Sequence, residues 1–192
     1  MYLHTLPTGM KNALDRVEKD SQAVADWAVA NGLELNAKKT QVIIIGSSQY
    51  ISAIHLNELR RIRINGTPLA YATEVKNLGV IMNQTLDWGE HVAKVQSKVY
   101  ATLASLRFHR RSLPFNLKVQ LIKSLVIPHF DYASIVYMHV DKTRGLDLQI
   151  AHNACIRFIY GYVPFQPNSD IQSHLTHLRL KLGWLSLASR RQ

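Results

Sequence analysis

The chain has few of the residues that would staple it, anchor it or give it metal chemistry. Its 192 residues include one cysteine, Cys155, so no internal disulfide can form. A single thiol within an apolar helical pattern reads as a small core residue. Such a composition fits a reducing compartment, and an intracellular location, nucleus or cytoplasm, is expected. No uninterrupted apolar run reaches eighteen residues, so no membrane partner is expected. The start, Met1-Tyr2-Leu3-His4-Thr5-Leu6-Pro7, has neither the charged nor the long apolar region of a signal peptide. Adjacent aspartates are absent, as are a Gly-x-x-x-x-Gly-Lys phosphate loop and a nucleophile-elbow pattern. The nine histidines are scattered. His174 and His177 form a close pair, but without a second cysteine or a carboxylate motif they read as surface or interface residues, not zinc ligands. Asp15, Glu18, Asp20 and Asp26 are spaced as a solvated helix face with local ion pairs, so no metal ligands are expected in this chain.

Acidic residues are also scarce, and unevenly so. The net charge is +10. The first 34 residues carry three basic and five acidic groups, a net of −2, which leaves +12 on the remaining 158. Such an excess favours a polyanionic partner through phosphate neutralisation and counterion release. A solubilising surface would show the same excess, and no dense basic run is present.

What is there is patterned. Gly9 to Asn31 reads as a helix, with Leu14, Val17, Val24 and Trp27 on one stripe and Asn31-Gly32 as its stop. Gln41 to Ile45 is a β-branched run suited to a buried strand. Arg61 to Asn65 and Leu69 to Tyr71 flank Asn65-Gly66, a strong hairpin signal. Glu74 to Met82 reads as a further strand with Gly79 inside it, where glycine suggests a bulge or close approach of another backbone. At Asp87-Trp88-Gly89 the pattern turns helical. Val92, Val95, Val99, Leu103 and Leu106 form one stripe. After Pro114, Leu117, Leu121, Ile122 and Leu125 form a second, ending before Pro128. Phe130 to Val140 reads as a short third helix. Leu146, Ile150, Ala154 and Phe158 mark a fourth, closed by Gly161. Pro164 and Pro167 form a connector, Ser169 caps a segment through Leu180, and Leu182 to Leu185 begins a last turn. Two domains follow, 1–86 with a helix and several strands, and 87–192 all helical.

Two places can meet a phosphate. The turn Asn36-Ala37-Lys38-Lys39-Thr40 holds two lysines between a helix stop and a buried strand. A lysine there could reach a phosphate or give a proton to a leaving oxyanion, although a plain polar turn would look the same. The helical half adds Lys94, Lys98, Arg107, Arg110, Arg111, Lys118 and Lys123, with Tyr100, Phe108 and His109 among them. Cations interleaved with aromatics suit a nucleic-acid backbone and its bases. A solvated face with core aromatics is the plainer alternative.

Three stretches together resemble the reverse transcriptases of non-LTR retrotransposons, jockey-like ones in particular. Trp27-x-x-x-Asn31-Gly32-Leu33-x-Leu35-Asn36-x-x-Lys39-Thr40 is similar to that family's motif D. Val75-Lys76-Asn77-Leu78-Gly79-Val80-Ile81-Met82, then Leu86-Asp87-Trp88 and His91-Val92, resembles the motif E hairpin, or primer grip, running into the thumb. Leu121-x-x-Ser124-Leu125-Val126-x-Pro128-His129-x-Asp131-Tyr132-Ala133-Ser134, with Gln149-x-x-x-Asn153 and Gly161, resembles the region after the palm.

The resemblance implies an α+β fold, the C-terminal part of a right-hand polymerase palm followed by an all-α thumb-like domain. It implies an RNA-directed DNA polymerase, a nucleotidyltransferase that copies an RNA template from a DNA primer. Lys39 would be the general acid that protonates leaving pyrophosphate, with Asn36 shaping its turn beside Lys38. Leu78, Gly79 and Val80 would lie at the primer 3′ end, and Lys94, Lys98, Arg107, Arg110 and Arg111 would track the duplex. The family keeps paired aspartates on a hairpin directly before a stretch like Tyr2-Leu3-His4, and none are found here. The expectation is therefore a fragment, inactive alone, with Mg²⁺ required by the full-length parent and no cofactor in this chain. A non-enzymatic basic helical nucleic-acid binder is the alternative. A protein–protein module using the apolar stripes is a third reading.

Overall fold

A computed structural model describes residues 2–55, 58–137, 140–161 and 171–190, with only the backbone at 171–173. The chain divides into two compact units, Met1–Leu86 and Asp87–Gln192. The connector prolines Pro164 and Pro167 and the cap Ser169 lie outside the described residues.

The first unit is organised by helix α1, Met10–Ala30. Its alanine-rich sequence favours a helix. It stops in a paired-carbonyl cap: Gly32 has φ +72°, the Leu33 N–H donates to the Ala28 carbonyl at 2.9 Å, and the Gly32 N–H donates to that of Val29 at 3.0 Å. The buried face is Ala13, Leu14, Ala25 and Ala28. Val24 and Trp27, expected on the buried stripe, are 48% and 61% exposed. They lie to one side of the face that alanines open for close packing.

That face meets the hairpin of β2 (Arg63–Ile64) and β3 (Thr67–Pro68). The turn between them has φ +51° at Asn65 and +77° at Gly66, both positive as a two-residue hairpin demands. Ile62, Ile64 and Leu69 pack on Leu14 and Ala25. Strand β1 is Gln41–Ile43, two residues shorter than expected, and runs parallel to β4, Ala70–Ala72. A short helix α2, Ser48–Ser52, follows β1. The stretch from Glu74 is not one strand. It is an antiparallel hairpin of β5 (Glu74–Asn77) and β6 (Val80–Asn83), turning through Leu78 and Gly79 at φ +45° and +88°. Gly79 is thus a turn residue, and its local use is the positive φ.

In the second unit helix α3, Gly89–Phe108, buries Val92, Val95, Val99 and Leu103, with Leu106 at the margin. Pro114 precedes α4, Phe115–Leu121. The helix does not end before Pro128. It widens into a π-helical stretch, Ile122–Val126, and continues as α5, Ile127–Asp131. Proline offers no N–H to the preceding turn, and a wide turn just before it absorbs that mismatch. The extra residue shifts the buried face. Ile122, Val126, Ile127 and Phe130 go inside, while Leu117 and Leu125 stay exposed.

Of the helix expected over Phe130 to Val140, Phe130 and Asp131 close α5 and residues 132–137 form turns, while 138 and 139 lie outside the described residues. Ala133 has φ +52°, and the buried Tyr137 hydroxyl donates back to the Phe130 carbonyl at 3.0 Å. Helix α6, Lys142–Tyr160, ends at Gly161 as expected. Its true stripe is Leu148, Ala151, Cys155 and Phe158, and Leu146 and Ile150 are exposed. The C-terminal half is enclosed nearly all round by its neighbours, so a single-stripe pattern fails there. Helices α7 (Ile171–Lys181) and α8 (Leu187–Arg190) complete the unit. Cys155 is fully buried, and burial pushes its thiol up to about 12.

Candidate nucleic-acid interface

The lysine turn is built by its own sequence. Residues Ala37–Lys39 form one tight 3₁₀ turn that enters β1. The Asn36 side chain accepts from the Lys39 N–H at 3.2 Å, and the Thr40 hydroxyl donates to the Asn36 carbonyl at 3.0 Å. Lys38 and Lys39 are exposed.

The β5–β6 hairpin presents Leu78 at its tip, 84% exposed. Its base is tied to the other end of β1. The Gly46 N–H donates to the Gln84 carbonyl at 2.9 Å, and the Gln84 amide donates to the Ile44 carbonyl at 3.3 Å. The Lys39 turn and the hairpin base thus adjoin opposite ends of β1. Gln84, buried and polar, was not singled out in the sequence; nothing distinguishes it there from a loop glutamine.

The acidic face of α1 is not simply solvated. Asp15 and Glu18 grip Arg60 at 2.7 and 3.0 Å, and Glu18 also accepts from the Arg63 N–H at 3.1 Å. Gln22 brackets the hairpin turn, accepting from the Asn65 N–H at 2.9 Å and donating to its side chain at 2.7 Å. These carboxylates lock the β2–β3 hairpin onto α1.

In the helical unit the candidate cations separate by position. Residues 91–130 hold seven lysines and arginines and no acid. Lys94 and Lys98 lie one turn apart on the outer face of α3. Lys98 is close enough to His129 of α5 to help hold its pKa down, after burial. Further along the same face come Ser97, Ala101, Ala104 and Ser105, then Phe108, which is 88% exposed. Tyr100 is also partly exposed, so neither aromatic is a core residue. Arg107 and Arg111 are exposed at the C-terminal end. Arg110 differs from them. Its Nε donates to the Phe158 carbonyl at 3.1 Å and Nη2 to that of Arg157 at 3.5 Å, so it caps α6. Lys118 is half-buried and Lys123 exposed.

Two other histidines are buried. His91 is buried edge-on to Tyr137, with ring centroids 4.7 Å apart, and burial then Lys94 and Lys98 lower its pKa. His152 is fully buried between Phe130 and Trp184. Burial, then Arg179 and Arg190, hold its pKa at about 4, against an opposing pull from Asp131. Asp131 itself pairs with Arg190. His174 and His177 are exposed, as expected.

Among the described residues no three His, Cys, Asp or Glu side chains gather as a metal site. Asp15, Glu18, Asp131 and Asp141 are each engaged by an arginine. These donors do not fit a pair of Mg²⁺ ions, which needs carboxylates converging within a few Å.

No protein-family model matches the chain, and no solved structure matches it. It is similar to the RNA-directed DNA polymerase from mobile element jockey of Drosophila funebris, with 24% identity over 174 residues. That alignment covers 89% of this chain and 18% of the polymerase, so the chain spans under a fifth of that relative's length. By sequence, the chain is related to a reverse transcriptase.

Proposed function

We propose that these residues are the section of a non-LTR reverse transcriptase that closes the palm and forms the helical thumb. The first unit carries the end of the palm, and the second holds the RNA template paired with its DNA primer. The observation that carries this reading is the similarity to an RNA-directed DNA polymerase along nearly the whole chain. The acid-free cationic run of residues 91–130 supports it, because phosphate neutralisation is what a duplex-holding surface must supply.

In the assembled polymerase Lys39 donates a proton to the leaving pyrophosphate from a turn held by Asn36. Leu78 and Gly79 support the primer end, and Lys94, Lys98, Arg107 and Arg111 contact the duplex backbone. Arg110 braces that surface from behind. The work is done inside the cell, in nucleus or cytoplasm. The 192 residues contain no adjacent aspartates, so by themselves they bind nucleic acid without extending a primer. A primer-extension assay on the chain, with Mg²⁺ or Mn²⁺, tests this. Duplex binding without template-dependent synthesis is the expected result. Synthesis by the isolated chain would contradict the assignment of roles, and absence of binding would contradict the reading as a whole.

A further inference from the structure

We propose that Phe108, flanked by Arg107 and Arg111, is a stacking platform for an unpaired nucleotide. The inference rests on the nucleic-acid reading above and assigns it one contact.

Phe108 is the last residue of α3 and 88% exposed. The apolar stripe of α3 points the other way, so its ring cannot join the core while the helix persists. The His109 ring stands T-shaped to it, with centroids 5.0 Å apart at 81°, an arrangement that leaves at least one face of Phe108 open. The tip is anchored from below. Arg110 holds the Phe158 carbonyl, and its guanidinium lies 2.9 Å from where a side chain on Gly161 would begin. A side chain at 161 would push that guanidinium aside, and φ +97° is a conformation that favours glycine.

The charge around the ring selects the ligand. Gln96 of α3 donates to the Asp147 carbonyl at 2.9 Å, and Arg110 to that of Phe158, so α3 and α6 run the same way and end together. Their shared end carries Arg107, Arg111 and Arg157, all exposed, plus the capping Arg110. No acid occurs in residues 148–161, nor between Glu90 and Asp131. Cations hold phosphates, and an open aromatic face holds a base of any identity. A base inside a duplex has no free face, so the platform takes an unpaired nucleotide, at a template overhang or strand end.

The test uses the whole chain and two probes, a blunt RNA–DNA duplex and the same duplex with a single-stranded extension. The extension carries 2-aminopurine at its first unpaired position. We expect tighter binding of the extended probe, with quenching of its fluorescence. Phe108→Ala should lower affinity for the extended probe about tenfold and abolish the quenching, leaving the blunt duplex unaffected. Phe108→Trp should keep both. Arg107→Ala and Arg111→Ala should weaken both probes. If Phe108→Ala changes neither affinity nor quenching, the platform is wrong while the nucleic-acid reading stands. If the wild-type chain binds neither probe, both fail.

Discussion

His152 is the side chain whose chemistry can be predicted most sharply. Neither ring nitrogen finds a hydrogen-bond partner among the described residues. The folded group stays neutral down to about 4, whereas in the unfolded chain it titrates near the ordinary 6.5. As pH falls through that upper value, the unfolded chain takes up a proton that the folded chain refuses. Stability should therefore fall by up to about 1.4 kcal/mol per pH unit, levelling off below the folded value. His91 and His129, also lowered, act in the same direction. Melts of His152→Leu at pH 7 and pH 5 should show a weaker pH dependence than wild type, with no loss at pH 7. A parallel loss at both pH values would show that the imidazole is not the titrating group. Gly161→Ala should cost roughly 1–3 kcal/mol in the same melts, because φ +97° is a glycine conformation. Burial of His152 was not legible in the sequence. His152, Asn153 and Arg157 all interrupt the apolar residues from Ala151 to Ile159, and nothing in that run marks which of the three go inside.

Among the elements, the hairpins show where local chemistry speaks and where it is silent. Asn65-Gly66 announces its turn, since both residues tolerate positive φ. Leu78-Gly79 does not, because leucine disfavours positive φ and here adopts φ +45° against that preference. The strand-like pattern from Glu74 to Met82 therefore runs through the turn, and only the family resemblance suggests a hairpin. The π-helical stretch before Pro128 is equally hidden, since proline in a helical pattern normally marks a stop. The docking of the β2–β3 hairpin depends on residues distant in sequence, and spacing along α1 could not reveal it. Glu18→Ala should destabilise the chain by about 1 kcal/mol through loss of the bond to the Arg63 N–H. Chemical denaturation measures this, and an unchanged midpoint would mean that the contact is replaced by water at no cost.

At the scale of the molecule, the two units differ in what holds them. The helical unit has a broad core built from α3, the π-interrupted helix, α6, α7 and α8. The first unit has a small one, with Trp27, Val29 and Leu33 exposed. We expect residues 87–192 alone to melt cooperatively and residues 1–86 alone to be poorly soluble without a cooperative transition. A sharp melt of the smaller piece would show that its core suffices. The candidate site was legible in residue type, because lysine and arginine placement is visible in the sequence. It was not legible in geometry: the capping role of Arg110 depends on how α3 lies against α6. The central claim is that this chain holds nucleic acid through its phosphates. The direct measurement is fluorescence anisotropy with an RNA–DNA primer–template over a range of salt concentrations. We expect affinity to fall steeply and linearly on a log–log plot, with Lys98→Ala, Arg107→Ala and Arg111→Ala each lowering the slope by about one. Binding that is absent, or indifferent to salt and to these three changes, would contradict it.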